Sequence, residues 1–446
     1  MKELKKNIIY VLLIFFAINN MQAATWLGTV SNSWADPDNW ENNYVPIYND
    51  FVFVEAGQHG PPTIYVYEEY AGIQVKVGAE LIIDDNATLE LRSLYYADPG
   101  ILDNRGTIYN YGHIIIENLA NGLENGIVNE GILNNELTGT ITVDSVFAVA
   151  ILNYGTVNNY NFIDLATAPV GGGEDHHHAI VNHGSFNNLA LTGPNPVIPL
   201  IEIEGIAGQG IVNNDGTFLN TGGIINIGEN EPVTDKGLRI NGGTFTNRSL
   251  YNPSNPTNPL LAQLRINRLW THWNHGSTGQ TFPIEIMADG TLENEGGEIT
   301  IGDIHTPDGN LLLSVKGTLI NTCVVTNPSN PIIGTITLDH TNLNGMFVSG
   351  NFSNVGGVVN IGQTFGLSGY PFRCQSQFVT NGNFGDLIGT INVDNAPQGI
   401  ELRSGGTIDN YGVINVGQNG GAQNIADYGF RMDDITTTLK LSLIHI

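Results

Sequence analysis

A five-residue unit recurs along most of this 446-residue chain: Gly, usually Thr, an apolar residue, any residue and then Asn. Residues 106–110 (Gly-Thr-Ile-Tyr-Asn) and 155–159 (Gly-Thr-Val-Asn-Asn) are two copies. The other copies begin at Gly131, Gly184, Gly216, Gly243, Gly290, Gly317, Gly350, Gly382 and Gly406, at intervals of 24 to 47 residues. A repeat of this length with uneven spacing is typical of a solenoid.

Two further short apolar segments accompany the unit. One follows it, as in residues 139–144, where apolar and polar residues alternate as in a strand with one buried face. The other precedes it, as in residues 126–129. Three short strands per repeat, with Gly and Asn at the corners, predict an all-β fold, a single-stranded parallel β-helix. A β-propeller is the alternative, although its blades need four longer strands and a period of about 40 residues or more.

Stacked rungs should bring like residues into register. We expect the Asn residues of the unit to form a ladder at one corner: Asn110, Asn135, Asn159, Asn188, Asn220, Asn247, Asn294, Asn321, Asn354 and Asn410. We expect its apolar centres to form one interior stack: Ile108, Leu133, Val157, Phe186, Phe218, Phe245, Leu292, Leu319, Phe352, Phe384 and Ile408. The corner Gly should supply a positive φ, and intervening polar residues such as Thr246 should face solvent.

Composition agrees with a β-rich chain. Charged residues are only 13% of the sequence and Gly numbers 55, which argues against a helical protein. Hydrophobic residues at 41% argue against disorder. The net charge of −27 makes nucleic acid and anionic membranes poor partners.

Residues 1–24 have the pattern of a secretory signal peptide. Lys2, Lys5 and Lys6 precede the apolar run 8–18, and small residues follow at Ala23 and Ala24. Cleavage there leaves 13 basic residues against 42 acidic ones, a net charge of −29. No later apolar stretch is long enough for a transmembrane helix, so we expect a secreted or outer cell-surface protein.

The segment after the signal peptide is rich in Trp. Trp26-x-Gly28, Ser31-x-x-Trp34, Pro37-x-Asn39-Trp40 and Val45-Pro46 follow one another within 21 residues. This pattern resembles the opening of secreted, adhesin-like β-solenoid surface proteins of Bacteroidetes-type bacteria. The resemblance implies a right-handed β-helix and an adhesive role. We expect residues 25–50 to cap the solenoid, 51–98 to form irregular first rungs and 99–435 to form regular repeats. A Trp platform for sugar stacking is the alternative to the cap.

The end of the chain departs from the repeat. Residues 441–446 (Leu-Ser-Leu-Ile-His-Ile) resemble a translated, transposon-derived sequencing adapter. We therefore expect residues 436–446 to be non-native or truncated, and the natural protein to continue with further rungs and a sorting domain.

Few residues suggest a ligand site or a covalent link. Cys323 and Cys374 could form one disulfide or remain two separate buried thiols. Asp175, His176 and His178 are candidate metal ligands, against a plain solvated loop. No cofactor is expected, although Asp at rung ends could bind calcium weakly: Asp144, Asp303, Asp339 and Asp394.

The longest interval contains an unusual insertion, residues 251–282. A Pro-rich stretch is followed by Arg265, Arg268, Trp270, His272 and Trp273. Exposed Trp beside Arg suits an acidic glycan, through stacking and hydrogen bonds. The alternative is that these aromatic residues pack the insertion onto the solenoid.

Catalysis has little support in the sequence. The Asp-rich motifs of pectin-cleaving β-helix enzymes are absent, and neighbouring acidic residues such as Asp84 and Asp85 point to opposite faces of a strand. We expect a non-catalytic structural or adhesive scaffold whose partners are extracellular glycans, matrix or other surface proteins. A glycan-binding module that uses residues 251–282 is the alternative, and a polysaccharide lyase or glycoside hydrolase is a lesser one.

Overall fold

The structure is a computed structural model. It describes residues 23–48, 50–93, 100–118, 125–146, 148–167, 177–206, 208–270, 282–302, 304–305, 311–325, 331–339, 344–363, 367, 370–375, 378–383, 387–396, 398–417, 428–433, 438–441 and 444–445. Within these residues, no helix is long and apolar enough to span a membrane.

The described residues form two short 3₁₀ helices, Pro37–Asn39 and Glu41–Asn43, and 43 β-strands. In chain order the first strands are β1 Ala23–Trp26, β2 Phe51–Val54, β3 Thr63–Ile64, β4 Tyr67–Tyr70, β5 Gly72–Val75, β6 Glu80–Ile83, β7 Thr88–Ser93, β8 Gly100–Asn104, β9 Thr107–Asn110, β10 His113–Asn118, β11 Asn125–Asn129, β12 Ile132–Asn135, β13 Thr140–Val146, β14 Val149–Asn153, β15 Thr156–Asn159 and β16 Phe162–Thr167. They are followed by β17 His178–Asn182, β18 Ser185–Leu189, β19 Leu200–Glu204, β20 Gln209–Asn213, β21 Thr217–Thr221, β22 Ile224–Ile227, β23 Leu238–Arg248, β24 Gln263–Ile266, β25 Leu269–Trp270, β26 Ile284–Glu295, β27 Glu298–Ile301, β28 Ile304–His305, β29 Leu311–Val315 and β30 Thr318–Thr322. The last are β31 Thr335–Leu338, β32 Asn344–Val348, β33 Asn351–Val355, β34 Val358–Ile361, β35 Phe372–Gln375, β36 Phe378–Asn381, β37 Thr390–Val393, β38 Gln398–Arg403, β39 Thr407–Asn410, β40 Val413–Val416, β41 Tyr428–Met432, β42 Thr438–Leu441 and β43 Ile444–His445.

These strands stack into a parallel β-helix with three strands per rung, which confirms the predicted fold. Strands β11, β12 and β13 form one rung, and each pairs in parallel with its counterparts in the rungs before and after it. The first two strands of the rungs belong to one sheet of 27 described strands, which we call sheet A. The third strands form a second sheet of 14 described strands, sheet B.

The five-residue units lie in register on the second strand of each rung. Leu133 pairs with Ile108 on one side and with Val157 on the other, and all three side chains are fully buried. The rings of Phe186 and Phe218 stack with their centroids 4.7 Å apart, and Phe218 stacks on the next ring of the column at 4.8 Å. The interior of this sheet is therefore a continuous apolar column.

One repeat was placed wrongly from the sequence. Strand β36 occupies the position that we assigned to the unit beginning at Gly382, with Val379 in the apolar column between Phe352 and Ile408. Phe384 itself lies outside the described residues. The error arose because β36 has no Gly in front of it, whereas the loop that follows contains Gly and Asn in imitation of the unit.

Close approach explains the corner glycines, and of the correctly placed units only the one at Gly243 has the expected positive φ in the described chain. Gly131, Gly155 and Gly184 are not among the glycines with positive φ. A Cβ added at Gly131 would lie 2.0 Å from the carbonyl oxygen of Gly106 in the preceding rung. Because no side chain fits at that distance, the stacking distance between rungs requires Gly here.

The Trp-rich segment is built into the first rungs as part of the core. Strand β1 pairs in parallel with β2. Trp26, Trp34 and Trp40 are each at most 3% exposed, and the ring centroids of Trp34 and Trp40 are 4.7 Å apart. The Trp34 Nε1–H donates to the Tyr70 hydroxyl oxygen at 2.7 Å. Since these rings are buried, they cannot form the sugar-stacking platform that was the alternative to a cap.

Three hairpin insertions leave the stack at the corner between the second strand and sheet B. Antiparallel bridges close them between Leu191 and Val197, Leu250 and Leu260, and Val324 and Ile332. They correspond to residues 190–199, 249–262 and 323–334, of which 326–330 lie outside the described residues. They follow β18, β23 and β30, so that they occupy alternate rungs. All three contain Asn-Pro pairs.

The rung after each hairpin rung turns the same corner with Gly-Gly. Gly222, Gly296 and Gly356 there have φ of 64°, 65° and 74°, the left-handed region that favours glycine. A Cβ on Gly222 would lie 2.9 Å from the Cβ of Ala190 and 3.1 Å from that of Leu260. The tight turns therefore leave space into which the neighbouring hairpins fold.

The two cysteines are not joined by a disulfide. Cys323 follows β30 and is half-buried, whereas Cys374 lies two rungs further along the stack in β35, with its side chain buried in the core. Two rungs correspond to about 9.6 Å at about 4.8 Å per rung, whereas a disulfide needs Cα atoms within about 7 Å of each other.

The apolar column should dominate stability. Truncation of the fully buried, doubly stacked ring in Phe218→Ala should lower the free energy of unfolding by about 3–5 kcal/mol, because burial is lost and a cavity remains. The adjacent exposed Thr217 is the matched control, and Thr217→Ala should cost at most about 0.5 kcal/mol. Thr246 is unsuitable as a control: it is 6% exposed and donates to Glu293 Oε2, contrary to the expectation from the sequence. Denaturation curves of the two variants provide the comparison, and equal losses would contradict the assignment of interior and exterior.

Candidate functional site

A ladder of Asn side chains runs along one corner of the stack. Each Nδ2 donates to the Oδ1 of the Asn in the next rung at 2.6–2.9 Å, from Asn110 as far as Asn410. All ten Asn residues proposed from the sequence take part, and Asn381 is an eleventh member that we missed. Asn220 illustrates the bonding, since its Nδ2 also donates to the carbonyl oxygens of Gly223 and Gln263.

A second Asn ladder was not anticipated. It follows the other corner of sheet A through Asn104, Asn129, Asn153, Asn182 and Asn213, with Nδ2 to Oδ1 distances of 2.7–2.8 Å. The signal was present in the sequence, because the segment before each of these units ends in Asn. Both ladders lie in the interior and have a structural role.

The insertion 251–282 is interrupted by a strand of the solenoid. Residues 249–262 form a hairpin at one corner and strand β24 continues sheet B, whereas residues 271–281 lie outside the described residues. Arg265 lies on the outer face of β24, and Arg268 lies just beyond that strand. His272, Trp273 and the side chain of Trp270 lie outside the described residues.

Arg265 and Arg268 are distinctive because of what they contact. Arg265 donates to Gln263 Oε1, and Arg268 Nη1 donates to the carbonyl oxygen of Asn230 at 2.8 Å. Neither contacts a carboxylate among the described residues. Every other arginine of the described chain does: Arg92, Arg105, Arg239, Arg248, Arg373, Arg403 and Arg431.

The proposed metal ligands are only partly described. Asp175 and His176 lie outside the described residues. His178 begins β17, and its Nδ1 accepts a hydrogen bond from the backbone N–H of Gln209 at 3.3 Å. One ring nitrogen is therefore engaged with the next rung. Among described residues, no three His, Cys, Asp or Glu side chains are grouped as metal ligands.

The acidic residues proposed as weak calcium ligands are dispersed along the stack. Asp394 is buried and accepts from Gln363 Nε2 at 2.8 Å. Asp144 lies where the regular pairing of β13 ends, next to Ser145, whose backbone has a positive φ of 58°. Asp339 follows β31. Asp303 lies outside the described residues.

Stacking also brings outward-facing carboxylates next to basic residues of adjacent rungs, an arrangement that we did not predict. Glu401 is fully buried between Arg373 and Arg431 in register, and its carboxylate contacts Arg373 Nε at 2.5 Å. Glu285 is 5% exposed and contacts Lys316 Nζ at 2.8 Å. Each charge is thereby balanced by a neighbour one rung away, as a buried carboxylate requires.

Asp164 and Glu202 depart from this pattern. They are neighbours in one outward-facing column of sheet B, and neither contacts a basic side chain in the described part of the chain. Burial raises the pKa of Glu202, and the carboxylates of Asp164 and Glu204 raise it further. Burial also raises the pKa of Asp164, followed by the charges of Glu204 and Asp144. This acidic cluster lacks the balancing charge that other stacked carboxylates have.

Comparisons with protein-family models, with curated proteins and with solved structures find no match to this chain.

The interior Asn ladder should contribute more to stability than amide pairs on the outside. Asn220→Ala removes a fully buried amide and leaves the buried amides of Asn188 and Asn247, in the two adjacent rungs, without their partner. We therefore expect the free energy of unfolding to fall by about 2–3 kcal/mol. Asn158 is the matched control, since it forms the same Nδ2 to Oδ1 contacts with Asn134 and Asn187 on the outer face and is half-buried. Asn158→Ala should lower the free energy of unfolding by less than about 1 kcal/mol. Denaturation midpoints that fall equally in Asn220→Ala and Asn158→Ala would show that burial of the ladder does not add to stability.

Proposed function

We propose that the protein is a secreted or cell-surface scaffold with a structural or adhesive role and without catalytic activity. The observation that carries the proposal is the unbroken parallel stack. Sheet B alone has 14 described strands, a length of about 60 Å at about 4.8 Å per rung. An extended body with a repetitive interior and an outer surface that differs from rung to rung suits a spacer that presents contact surfaces along its length.

The charge and the amino-terminal segment support an extracellular role. The signal-like residues 1–24 favour export, and the acidic balance of the chain disfavours nucleic acid and anionic membranes as partners. The partners that remain are extracellular glycans, matrix and other surface proteins.

The surroundings of the adjacent acidic residues Asp84-Asp85 and Asp433-Asp434 support a non-catalytic role. Asp84 and Asp85 lie at a turn, and Asp85 is exposed. Asp433 contacts Arg403 at 3.0 Å and Arg431 at 2.5 Å, and its neighbour Asp434 lies outside the described residues. These contacts favour structural roles over acid–base chemistry.

Display of the full chain on a bacterium that lacks it tests this proposal. The displayed protein should increase adhesion of the cells to matrix-coated surfaces or to one another, and external protease should remove that adhesion. Cells that display Phe218→Ala should adhere less, whereas cells that display Thr217→Ala should match the wild type. Unchanged adhesion, or release of new reducing ends from a panel of polysaccharides, would overturn the assignment.

A second candidate function is binding of an acidic glycan near Arg265 and Arg268. The specific observation is that these two arginines have no carboxylate partner in the described chain, although acidic residues are abundant. A guanidinium with unused N–H groups can bind a carboxylate or sulfate of a polysaccharide through two parallel hydrogen bonds.

Binding to immobilised polyuronate or sulfated glycan tests this function. Arg265→Gln and Arg268→Gln should each weaken binding about tenfold or more, because a hydrogen bond to a charged group contributes about 1.5–3 kcal/mol. Arg92→Gln is the matched control: Arg92 lies on the same sheet but contacts Glu117 at 3.2 Å, so binding should not change. Equal weakening by all three variants would indicate a general charge effect and no site.

A further inference from the structure

The outer face of sheet B has one column in which polar side chains from successive rungs lie side by side. Asp164 pairs with Glu202, Glu202 with Asn226, and Asn226 with Arg265. Ile201, Ile203, Ile225 and Ile227, which alternate with Glu202 and Asn226, are fully buried inside. Glu202 and Asn226 must therefore point outward, next to each other on the same face.

Asn226 is the unexpected member of this column. It is only 6% exposed although it points outward, and its Oδ1 is buried without a hydrogen-bond partner. Arg265, on the far side, donates to Gln263 instead. Elsewhere in the same column amides satisfy one another, since Asn392 Nδ2 donates to Asn360 Oδ1 at 2.8 Å. A buried carbonyl oxygen without a donor is costly unless another group meets it.

We propose that Asp164, Glu202 and the Oδ1 of Asn226 bind a calcium ion on the outer face of sheet B. Two carboxylates and an amide carbonyl are oxygen ligands, which a hard cation prefers. One ion would balance the uncompensated charges of Asp164 and Glu202 and would also meet the unpartnered oxygen of Asn226.

The arrangement of the ligands favours calcium over magnesium. Calcium takes about six to eight oxygen ligands in a flexible geometry, whereas magnesium demands a near-ideal octahedron. Asp164, Glu202 and Asn226 lie on three successive rungs, so Asp164 and Asn226 are separated by two steps of about 4.8 Å each. Their side chains must lean toward Glu202 to reach one ion, which suits the cation that tolerates irregular coordination. Waters would complete the coordination, which is the arrangement of weak extracellular sites with a dissociation constant of about 10⁻⁴ to 10⁻³ M.

The wild-type chain, titrated calorimetrically with calcium chloride at constant ionic strength, provides the direct test. We expect saturable binding in that range, and magnesium binding at least about tenfold weaker. Absence of saturable binding up to about 10 mM calcium, or equal affinity for magnesium, would overturn the proposal.

Variants locate the site through effects of opposite sign. In metal-free buffer Glu202→Gln should raise the unfolding midpoint, because it removes repulsion between neighbouring carboxylates. The same variant, and Asp164→Asn, should bind calcium at least about tenfold more weakly and lose the calcium-dependent rise in midpoint. Asn226→Ala should weaken calcium binding without changing the charge. Asp85→Asn, at an exposed turn, is the control for a lost negative charge and should bind as the wild type does.

Three outcomes would contradict the assignment. Unchanged calcium binding in Glu202→Gln would place the ion elsewhere. Equal weakening in Asp85→Asn would reduce the effect to the overall negative charge. A midpoint that Glu202→Gln lowers in metal-free buffer would mean that Glu202 is balanced by protein groups and needs no ion.

Discussion

Parallel pairing of successive rungs, in register along most of each strand, is the constraint on which this structure depends. Each backbone strand pairs with the equivalent strand above and below, so every side chain meets the equivalent side chain of the next rung. An arrangement that is favourable once is therefore repeated. Phe stacks on Phe in the interior, and an Asn amide donates to the next Asn. The same rule applies to charge, since a carboxylate that recurs at about 4.8 Å requires a basic neighbour or a cation.

The repeat predicted the stack well because the unit carries its own constraints. The apolar centre, the terminal Asn and the initial Gly each correspond to one contact between rungs. The assignment at Gly382 was wrong because β36 has the contacts of the unit without its Gly. The positive φ expected at the corner Gly is present at Gly243 but not at Gly131, Gly155 or Gly184, for a different reason. The close approach of Gly131 to the carbonyl oxygen of Gly106 is a property of two rungs and cannot be seen in one repeat.

The outer surface was much less predictable than the interior. Which acid meets which base depends on side chains in different rungs, separated by loops of unequal length. Glu401 and Arg373 are 28 residues apart, and Thr246 meets Glu293 over 47 residues. Arg265 attracted attention from its sequence neighbours, but its lack of a carboxylate partner follows only from the register. Asp164, Glu202 and Asn226 showed no local motif at all, because their proximity comes entirely from stacking.

The alternation of hairpin rungs with Gly-Gly rungs has an evolutionary and practical consequence. Hairpins on alternate rungs are separated by about 9.6 Å along the axis. Their tips are exposed, so a change in the length of a hairpin tip does not change the packing of the core. Insertions, deletions and foreign sequences should therefore be tolerated at the exposed hairpin tips, residues 194–196 and 253–258, without disturbing the core. Copies of one short motif placed there would form a rigid linear array. Such an array would bind a multivalent surface through a high effective concentration, even where each single contact is weak.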